Sequence, residues 1–471
     1  MKKIIAILVV LLLFISGCKS KEVFRVDNTL IETEQETVPQ QDTQNSEDNV
    51  YVGGSIEEDI NAVDIKKDEK LTREAEGKHK TEEDVLVPQE EIEEEKYSEE
   101  DDKSPKLSEE KYEVLQTFNT QLPKSIDSYI QYDKYPTSYN YLLVLYSNIN
   151  IREKPTTESD VVKKAFIFEK INLAEKVKGQ YLEKYKSDIW YKVFWKEDEE
   201  IKYGYIFGVL GEPRKFQFEK MVESIERLKN EVENNKTAYI TNYKNWHGTA
   251  PLYKGKTEDN YGIQRYQSAP AYIEPSTDSE FRYIQDGVLV SILDKNEKFY
   301  KIRTLNFEGE YWVPKNFISF ANSIEELRKV IVVDRKNQNE GVFEYKDGKL
   351  NLISYVFATT GEKSKYKQPT DLGYFMAIQR RPKFLYLDDI TREISGYAPY
   401  AIRFNGGAYI HGVPVEFEIV DGEKVDPGMQ EYLYTIGTVP RSHKCVRNYT
   451  SHAKFLYDWI EIGKSAVIVI E

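Results

Sequence analysis

Short runs in which large apolar residues alternate with polar ones begin near residue 141 and continue to the end of the chain. Tyr141 to Leu145, Trp190 to Phe194 and Tyr203 to Phe207 are examples. A period of two residues is typical of strands with one buried face, and the proline and glycine residues between the runs mark turns. The pattern predicts a mostly β protein built from small sheets.

One segment between these runs has helical periodicity instead. Its large apolar residues recur at spacings of three and four, and they are Phe218, Met221, Val222, Ile225, Leu228 and Val232. They predict an amphipathic helix over 216–233, with apolar residues along one face. The other face mixes Glu, Lys and Arg, so we expect the helix to pack on neighbouring sheets and not on a lipid surface.

The strand pattern occurs twice. Ile151 to Pro155, Val161-Val162, Trp190 to Val193 and Tyr205 to Phe207 are echoed in order by Ile273 to Pro275, Gly287 to Val290, Phe299 to Ile302 and Tyr311 to Val313. Both copies resemble bacterial SH3-like modules, which are small β-barrels common in cell-wall proteins. This resemblance places the first module at 138–213 and the second at 241–325, with a connecting helix in 214–240.

The N-terminus has the pattern of an export signal. Lys2 and Lys3 precede an apolar run over Ile4–Ile15, which is too short to span a membrane, and small residues then lead to Cys18. This resembles a bacterial lipoprotein signal over 1–18, after which Cys18 carries the lipid. The alternative is an ordinary secretory signal. The resemblance predicts an exported protein, lipid-anchored to a bacterial membrane on its periplasmic or cell-wall side.

Charge and cysteine content narrow the picture further. The net charge is −15, and residues 21–120 by count carry −19 with only five aromatic residues. Such a segment buries too little apolar surface to offset its ordering entropy, so 19–125 is predicted to be a disordered acidic tether. The remainder has no basic excess, which argues against a nucleic-acid partner. Two cysteines exclude a disulfide scaffold.

Candidate chemistry is concentrated near the C-terminus. Three of the five histidines lie within 42 residues that also contain Cys445, namely His411, His443 and His452. A cysteine near an imidazole is typical of covalent acyl transfer, because the base favours the nucleophilic thiolate. The alternatives are a buried thiol and a zinc site. The two-residue spacing in Ser-His-x-Cys argues against two ligands to one metal, and we expect no metal or cofactor.

These residues resemble the signature of L,D-transpeptidases of the YkuD type. His411-Gly412 and the run Ser442 to Asn448 carry the resemblance, which covers 326–471. Further blocks follow in the family's order: Val330 to Asp334, Ala358 to Gly361, Pro369 to Phe375, Tyr397 to Tyr409 and Gly463 to Ile470. The resemblance implies a β-sandwich-like domain with a short helix over Thr450 to Ile460.

The resemblance also implies roles for single residues. Cys445 would attack a carbonyl of a peptidoglycan stem tetrapeptide, and His411 would be the base, oriented by the Gly412 carbonyl. Backbone amides around Lys444 and Cys445 would stabilise the oxyanion. The other motif residues would shape the site or bind substrate: His443, Ser442, Arg447 and Asn448. An ion pair is the alternative role for Arg447, and a structural role is expected for His452.

Two features depart from the family pattern. Lys444 stands where glycine is usual, so the turn either tolerates a side chain or has lost its oxyanion hole. His411 and Cys445 are 34 positions apart, and the surplus at 413–435 is either a lid over the site or a surface excursion. The function implied is peptidoglycan L,D-transpeptidation. The alternatives are an inactive peptidoglycan-binding module and an L,D-carboxypeptidase that uses water as acceptor.

Overall fold

The computed structural model describes residues 112–364, 367–388, 391 and 393–471. The predicted signal segment with Cys18 and the tether up to residue 111 lie outside the described residues. Within this part of the chain, no helix is both long enough and apolar enough to cross a membrane. The architecture is mostly β, as the alternating pattern predicts.

The strands follow one another closely along the chain. The first third of the described chain contains β1 (Val114–Thr117), β2 (Ile126–Ser128), β3 (Asn140–Val144), β4 (Ile149–Arg152), β5 (Val161–Ala165), β6 (Lys170–Leu182), β7 (Ser187–Glu197), β8 (Glu200–Phe207) and β9 (Gly211–Lys215). The middle third contains β10 (Lys236–Ile240), β11 (Ser268–Tyr272), β12 (Phe281–Gln285), β13 (Leu289–Lys295), β14 (Phe299–Arg303), β15 (Glu310–Pro314) and β16 (Ile318–Ser319). The last third contains β17 (Lys329–Asp334), β18 (Asn339–Lys346), β19 (Lys349–Phe357), β20 (Gly373–Met376), β21 (Gln379–Leu387), β22 (Ile394–Asn405), β23 (Ala408–His411), β24 (Val415–Glu416), β25 (Glu418–Val420), β26 (Glu423–Val425), β27 (Val446–Arg447) and β28 (Ser465–Ile470).

Two α-helices occur where the sequence predicts them. Helix α1 spans Phe218–Asn234 and helix α2 spans Thr450–Trp459. The predicted apolar residues of α1 are buried. They contact the modules, as expected, and they also cover one face of the sheet that contains β17 and β28.

The two N-terminal sheets share one strand order. The first runs β5-β4-β8-β7-β6-β3-β9 and the second runs β12-β11-β15-β14-β13-β10-β16. Neither sheet closes, so both predicted barrels are open sheets. We call them the first and second modules, and their SH3-like identity stays a prediction. Because β12 occupies the place of β5 in this order, the proposed match of Gly287 to Val290 with Val161-Val162 is wrong.

Three predicted boundaries need correction. Strand β1 pairs with β6 of the first module, so the last part of the 19–125 segment is not tether. Tyr112 and Phe118, at either end of β1, pack on the first module's core. Strand β9 runs past the boundary at 213, and β10 pairs with β13 and β16, so part of the connecting segment 214–240 belongs to the modules.

The C-terminal segment consists mainly of two sheets. One has six strands in the order β2-β19-β18-β17-β28-β20, and the other has the order β21-β22-β23-β27 with β24 beside β22. Ile331 and Val467 from the first sheet share a core with Ile402 and Ile410 from the second. This is the sandwich-like arrangement that the resemblance implies. Strands β17 and β28 are buried along their whole length, and the four central residues of β17 and the last five of β28 are apolar, because both faces of their sheet are covered.

The hydrophobic cores cross the predicted domain boundaries. One core combines α1 and residues of both modules with the six-stranded sheet. A second combines the second module with both C-terminal sheets and α2. Only the interior of the first module forms a separate large core among the described residues. The modules are therefore packed against the C-terminal segment and do not form separate domains joined only by linkers.

Candidate active site

Two neighbouring parallel strands bring the predicted histidine and cysteine together. Strand β23 ends at His411 and pairs with β27, with His411 opposite Arg447 and Ile410 opposite Val446. Side chains alternate between the faces of a sheet, so Tyr409 and His411 share a face with Cys445 and Arg447. Ile410 and Val446 point the other way and are buried in the core. Tyr409 and Cys445 are in contact, as the alternation requires.

His411 is held in one orientation. Its Nδ1 lies 2.6 Å from the Gly412 carbonyl oxygen, so Nδ1 carries the hydrogen and Nε2 carries the lone pair. Burial lowers the pKa of His411 to about 4, against the effect of that hydrogen bond, and the positive charge of Arg447 lowers it further. The ring is therefore neutral at pH 7. A neutral imidazole with a free lone pair at Nε2 is suited to accept a proton.

Gly412 is required by close packing. A Cβ atom at this position would lie 2.9 Å from the Cα of Thr450 and 3.0 Å from the Cγ of Pro399. Its N–H donates to the Pro399 carbonyl at 2.9 Å. A side chain here would displace the carbonyl that orients His411, so the glycine positions the histidine.

Cys445 is buried and its thiol is protonated. Burial raises the pKa of the thiol, while the Tyr409 backbone and the cations Arg447 and Lys444 act in the opposite direction. The sulfur lies 3.9 Å from the Gly407 carbonyl oxygen. Within the described chain no hydrogen bond joins Cys445 to His411. A protonated thiol is a weak nucleophile, so this cysteine needs a base at the moment of attack.

The turn before Cys445 has the geometry of a glycine turn although it contains a lysine. Lys444 has a φ of +65°, which is in the left-handed region that glycine favours. Its N–H donates to the Gln368 carbonyl at 2.9 Å, and the Cys445 N–H donates to the His443 carbonyl at 2.9 Å. Both predicted oxyanion donors are therefore already used. The predicted oxyanion hole is not preformed, and these amides can serve it only if the turn opens.

Two residues predicted to bind substrate have structural positions. Ser442 is 1% exposed, and its hydroxyl donates to the Cys445 carbonyl. Asn448 is fully buried, and its side chain contacts Glu340 at 3.3 Å and His452 at 2.6 Å. Neither side chain faces solvent, and a substrate contact of Ser442 or Asn448 stays a prediction. Both residues fix the two ends of the cysteine turn.

The remaining histidines differ in exposure. His443 is exposed, which leaves it accessible to a substrate. His452 is fully buried on α2, and its Nε2 lies 2.9 Å from the Ser354 hydroxyl. Burial lowers its pKa to about 3 and raises the pKa of the neighbouring Glu340 to about 8. This pair is neutral and lies in the core, which is the structural role expected for His452.

Arg447 has no ion-pair partner among the residues that the structure describes. Its Nε is buried without a hydrogen bond, and burial lowers its pKa, against the effects of Cys445, Tyr386 and Glu416. The predicted alternative, a structural ion pair, is therefore not formed. A guanidinium in this position is available to a carboxylate.

No group of three or more His, Cys, Asp or Glu residues that could hold a metal ion occurs in the described chain. The zinc alternative thus has no set of ligands there to support it.

A family model, YkuD, described as the L,D-transpeptidase catalytic domain, matches residues 328–469. Residues 328–469 are an L,D-transpeptidase catalytic domain. The matched range includes the strands that hold His411 and the turn that holds Cys445.

Solved structures include several similar chains. An L,D-transpeptidase from Mycobacterium smegmatis is 19% identical, with 44% of this chain and 92% of that one covered and a TM-score of 0.24. A mutant of the Enterococcus faecium L,D-transpeptidase is 14% identical, with coverages of 59% and 86% and a TM-score of 0.23. A fused amidase, peptidase and peptidoglycan-binding protein from Clostridium acetobutylicum is 22% identical, with coverages of 30% and 52% and a TM-score of 0.21. This chain therefore spans about half the length of the last protein. A search of curated proteins found no significant match.

The catalytic domain contacts both modules close to its cysteine. Lys170 of the first module donates to the Ile436 carbonyl at 2.6 Å, and Arg214 donates to the carbonyls of Gly437 and Thr438. In the second module, Asp286 accepts from Arg403. Sequence reasoning missed these contacts because no local pattern relates residues more than 100 positions apart.

The catalytic domain also contains a tyrosine that the sequence did not single out. Tyr409 is fully buried, it stacks on Phe384 with ring centroids 4.2 Å apart, and it contacts Cys445. Its hydroxyl lies 3.4 Å from that of Tyr243 in the second module. Its position two residues before His411 was the available signal, because alternation along β23 puts both side chains on one face.

The surplus segment 413–435 has two parts. Strands β25 and β26 pair with each other, and most residues from Glu416 to Gln430 are exposed. At its end, Glu431 contacts Ser451, and the Tyr432 ring stacks on Tyr449 with centroids 5.7 Å apart. The second part is anchored to the domain. A lid role for the exposed part stays a prediction.

Proposed function

We propose that this chain is a peptidoglycan L,D-transpeptidase that uses Cys445 as nucleophile. The shared face of Tyr409, His411, Cys445 and Arg447 is the observation that supports this proposal most strongly. It combines a thiol, a neutral imidazole and a guanidinium that has no ion-pair partner among the described residues. These are a nucleophile, a base and a cation for a carboxylate-bearing peptide.

The first half-reaction releases D-alanine. The Cys445 sulfur attacks the carbonyl carbon of the third stem residue, and the thiol proton moves to His411 Nε2. As the tetrahedral intermediate collapses, the bond to the terminal D-alanine nitrogen breaks, and the imidazolium protonates that nitrogen. A thioester on Cys445 remains. Arg447 holds a carboxylate of the stem, which fixes the peptide relative to the sulfur.

The second half-reaction restores the enzyme. An amine of another stem attacks the thioester carbonyl, and His411 takes the amine proton. The carbon–sulfur bond then breaks, and the proton returns to the departing sulfur. The product is a cross-link between two stems. Attack by water in the same position gives a tripeptide, which is the carboxypeptidase alternative.

One observation favours the alternative of a weakly active or inactive wall-binding module. The amides of Lys444 and Cys445 both donate to carbonyls of the protein. An oxyanion hole contributes a large part of acyl-transfer catalysis, so its absence would leave turnover very slow.

Product analysis tests the proposal. The chain lacking residues 1–18 is incubated with tetrapeptide stems, and the products are weighed by mass spectrometry. We expect free D-alanine and a stem dimer, with neither formed by Cys445→Ala. His411→Ala should react on the order of 10²–10⁴ times more slowly, which is the contribution of a general base. Tripeptide alone would identify a carboxypeptidase. A wild-type protein without products, whose Lys444→Gly variant forms them, would identify an inactive module.

We also propose that the chain is exported and lipid-anchored through Cys18. The charged start, the short apolar run and the small residues before Cys18 support this. Expression of the full chain in a bacterium should give a membrane-bound protein whose first residue is a lipid-modified Cys18, as measured by mass spectrometry. Cys18→Ala should abolish the modification. A wild-type chain released from the membrane without lipid would indicate an ordinary secretory signal.

A further inference from the structure

Lys444 is the residue at which this chain departs most from its family near the nucleophile. Its φ of +65° is a backbone conformation that glycine adopts without steric cost and lysine does not. The turn has nevertheless kept that conformation. Some other part of the protein therefore holds the lysine in place.

One short segment holds Lys444 at three points. The Lys444 N–H donates to the Gln368 carbonyl at 2.9 Å, and its carbonyl accepts from the Thr370 hydroxyl at 2.8 Å. The side-chain ammonium forms an ion pair with Asp371, with Nζ and Oδ2 2.8 Å apart. The first two contacts involve only the backbone of residue 444 and are open to any residue there. The third is specific to lysine.

The carboxylate of Asp371 is itself fixed. Its Oδ2 accepts a second hydrogen bond, from Asn405 Nδ2 at 2.9 Å, and Asn405 is 2% exposed. Two residues after Asn405, the Gly407 carbonyl lies 3.9 Å from the Cys445 sulfur. The contacts thus connect the residue before Cys445 to the strand end beside its sulfur.

The ion pair is also partly shielded from water. The side chains of Lys444 and Asp371 are 21% and 19% exposed, which is less than the exposed pairs that contribute little to stability. Removing the carboxylate would leave a half-buried ammonium in a strained backbone position. Relaxation of residue 444 toward an unstrained backbone conformation would move the adjacent Cys445.

We infer that Asp371 is a positioning residue for Cys445, and that it is needed because residue 444 is a lysine. The contact between Asp371 and Lys444 replaces the conformational freedom that glycine gives the family's turn. This inference rests on the proposed function only in taking Cys445 as the reactive group. It predicts that the effect of losing Asp371 depends on the residue at position 444.

A double-mutant cycle tests the dependence. The variants are Asp371→Asn, Lys444→Gly and the two combined, in the full catalytic chain lacking residues 1–18. The readouts are the rate of Cys445 alkylation by iodoacetamide over a range of pH, the rate of acylation by a carbapenem, and the melting temperature. Alkylation needs only an accessible thiolate, so it reports on the cysteine whether or not the protein transfers stems.

We expect Asp371→Asn to lower the acylation rate at least tenfold and to shift the pH profile of alkylation when residue 444 is lysine. In the Lys444→Gly background the same change should alter either rate less than threefold. If Asp371→Asn alone does not fold, we expect Lys444→Gly to restore folding. Equal losses in both backgrounds, or failure to fold in both, would overturn the inference.

A neighbouring ion pair supplies the matched control. Glu362 and Lys367 are 2.9 Å apart on the same segment, and their side chains are 38% and 43% exposed. Glu362→Gln removes a carboxylate from a lysine and keeps the backbone N–H of residue 362, which donates to the Ser442 carbonyl. It should leave alkylation and acylation within twofold of wild type. A coupling between Asp371 and Lys444 in a protein that never transfers stems would sustain the inference and reject the proposed function.

Discussion

The two modules share one strand order but hold the catalytic domain with different groups, hydrogen-bond donors in the first and a carboxylate in the second. The first module presents the Lys170 amine and the Arg214 guanidinium to the carbonyls of residues 436–438. The second presents a carboxylate, Asp286, which accepts from the Arg403 guanidinium at 2.5 Å and the Gly406 N–H at 3.1 Å. The first module thus supplies donors to backbone carbonyls, and the second supplies an acceptor to a guanidinium and a backbone amide.

The two contacts lie on different segments of the site, one that leads to Cys445 and one that leads to His411. Residues 436–438 lead along the chain into the turn that ends at Cys445. Arg403 and Gly406 lie on the hairpin that leads into β23 and His411. The first module therefore supports the nucleophile's segment, and the second supports the base's segment. The comparison shows that both modules contribute to the scaffold of the site, which independent wall-binding arms would not do.

Loss of the second module's carboxylate should have the largest effect on stability. Asp286 and Arg403 are 1% and 6% exposed, so Asp286→Ala leaves a buried guanidinium without its partner. We expect a loss of about 3–5 kcal/mol in the free energy of unfolding, measured by urea denaturation. The control is Glu280→Ala, which breaks an exposed pair with Lys254 in the same module. Its expected cost is small, because water already solvates both charges of this pair. Equal losses in the two variants would show that Asp286 does not support the hairpin.

Loss of the first module's guanidinium should have an intermediate effect. Arg214→Met removes the donors from the Gly437 and Thr438 carbonyls, which lie in a buried stretch. Unsatisfied buried carbonyls cost about 1–3 kcal/mol, and we expect unfolding to reflect this. Carbapenem acylation of Cys445 should slow at the same time, because the turn follows these residues. The control is Lys202→Met, at an exposed pair of the same module. An unchanged acylation rate in Arg214→Met would show that the first module does not support the segment that leads to Cys445.

Loss of Lys170 should have the smallest effect and the clearest pH dependence. Burial, and secondarily the charge of Arg214, lower the pKa of Lys170 from 10.5 to about 7. Between these values the unfolded chain binds the proton more strongly, so wild-type stability rises with pH from about 7 to about 10.5 through this residue. Lys170→Met lacks this gain.

The cost of Lys170→Met should therefore increase with pH across that window. Urea denaturation of wild type and variant at pH 6 and pH 9 measures the difference. A cost that shrinks as pH rises would mean that the Ile436 carbonyl stabilises a charged lysine, contrary to the lowered pKa.

Local patterns in the sequence predict much of this fold. The periodicity of α1 gives 216–233 against the observed Phe218–Asn234, and the family resemblance places α2 at Thr450 to Ile460 against the observed Thr450–Trp459. The repeated strand pattern anticipates two sheets of one order. Each of these signals lies within a short window of sequence, where period and turn residues are informative.

Strands that depend on distant partners were missed. Strand β10 follows α1 closely, and it is defined by its pairing with β13 and β16, which lie about 50 and 80 residues further on. Strand β1 lies at the end of an acidic segment whose average composition indicates disorder. Composition averages over a window and cannot detect one strand at its edge.

In the candidate site, too, local motifs were informative and contacts between distant residues were not predicted. The motif identified His411 and Cys445, and alternation along paired strands explains why they share a face. The motif could not show that the Lys444 amide is already used, because its acceptor, Gln368, lies 76 positions earlier. It likewise could not show that the Asn448 side chain is hydrogen-bonded to His452 in the core, because this contact depends on the packing of α2 against the sheet.

The central claim is that His411 is the base that activates a protonated Cys445 thiol. The pH dependence of carbapenem acylation of Cys445 tests it most directly, with intact-protein mass as the readout. Because burial lowers the pKa of His411 to about 4, we expect a rate that is nearly constant from pH 6 to 8 and falls as the pH drops through about 4. His411→Ala should remove this plateau. A wild-type rate that instead rises tenfold per pH unit from 6 to 8, and that His411→Ala leaves unchanged, would contradict the account.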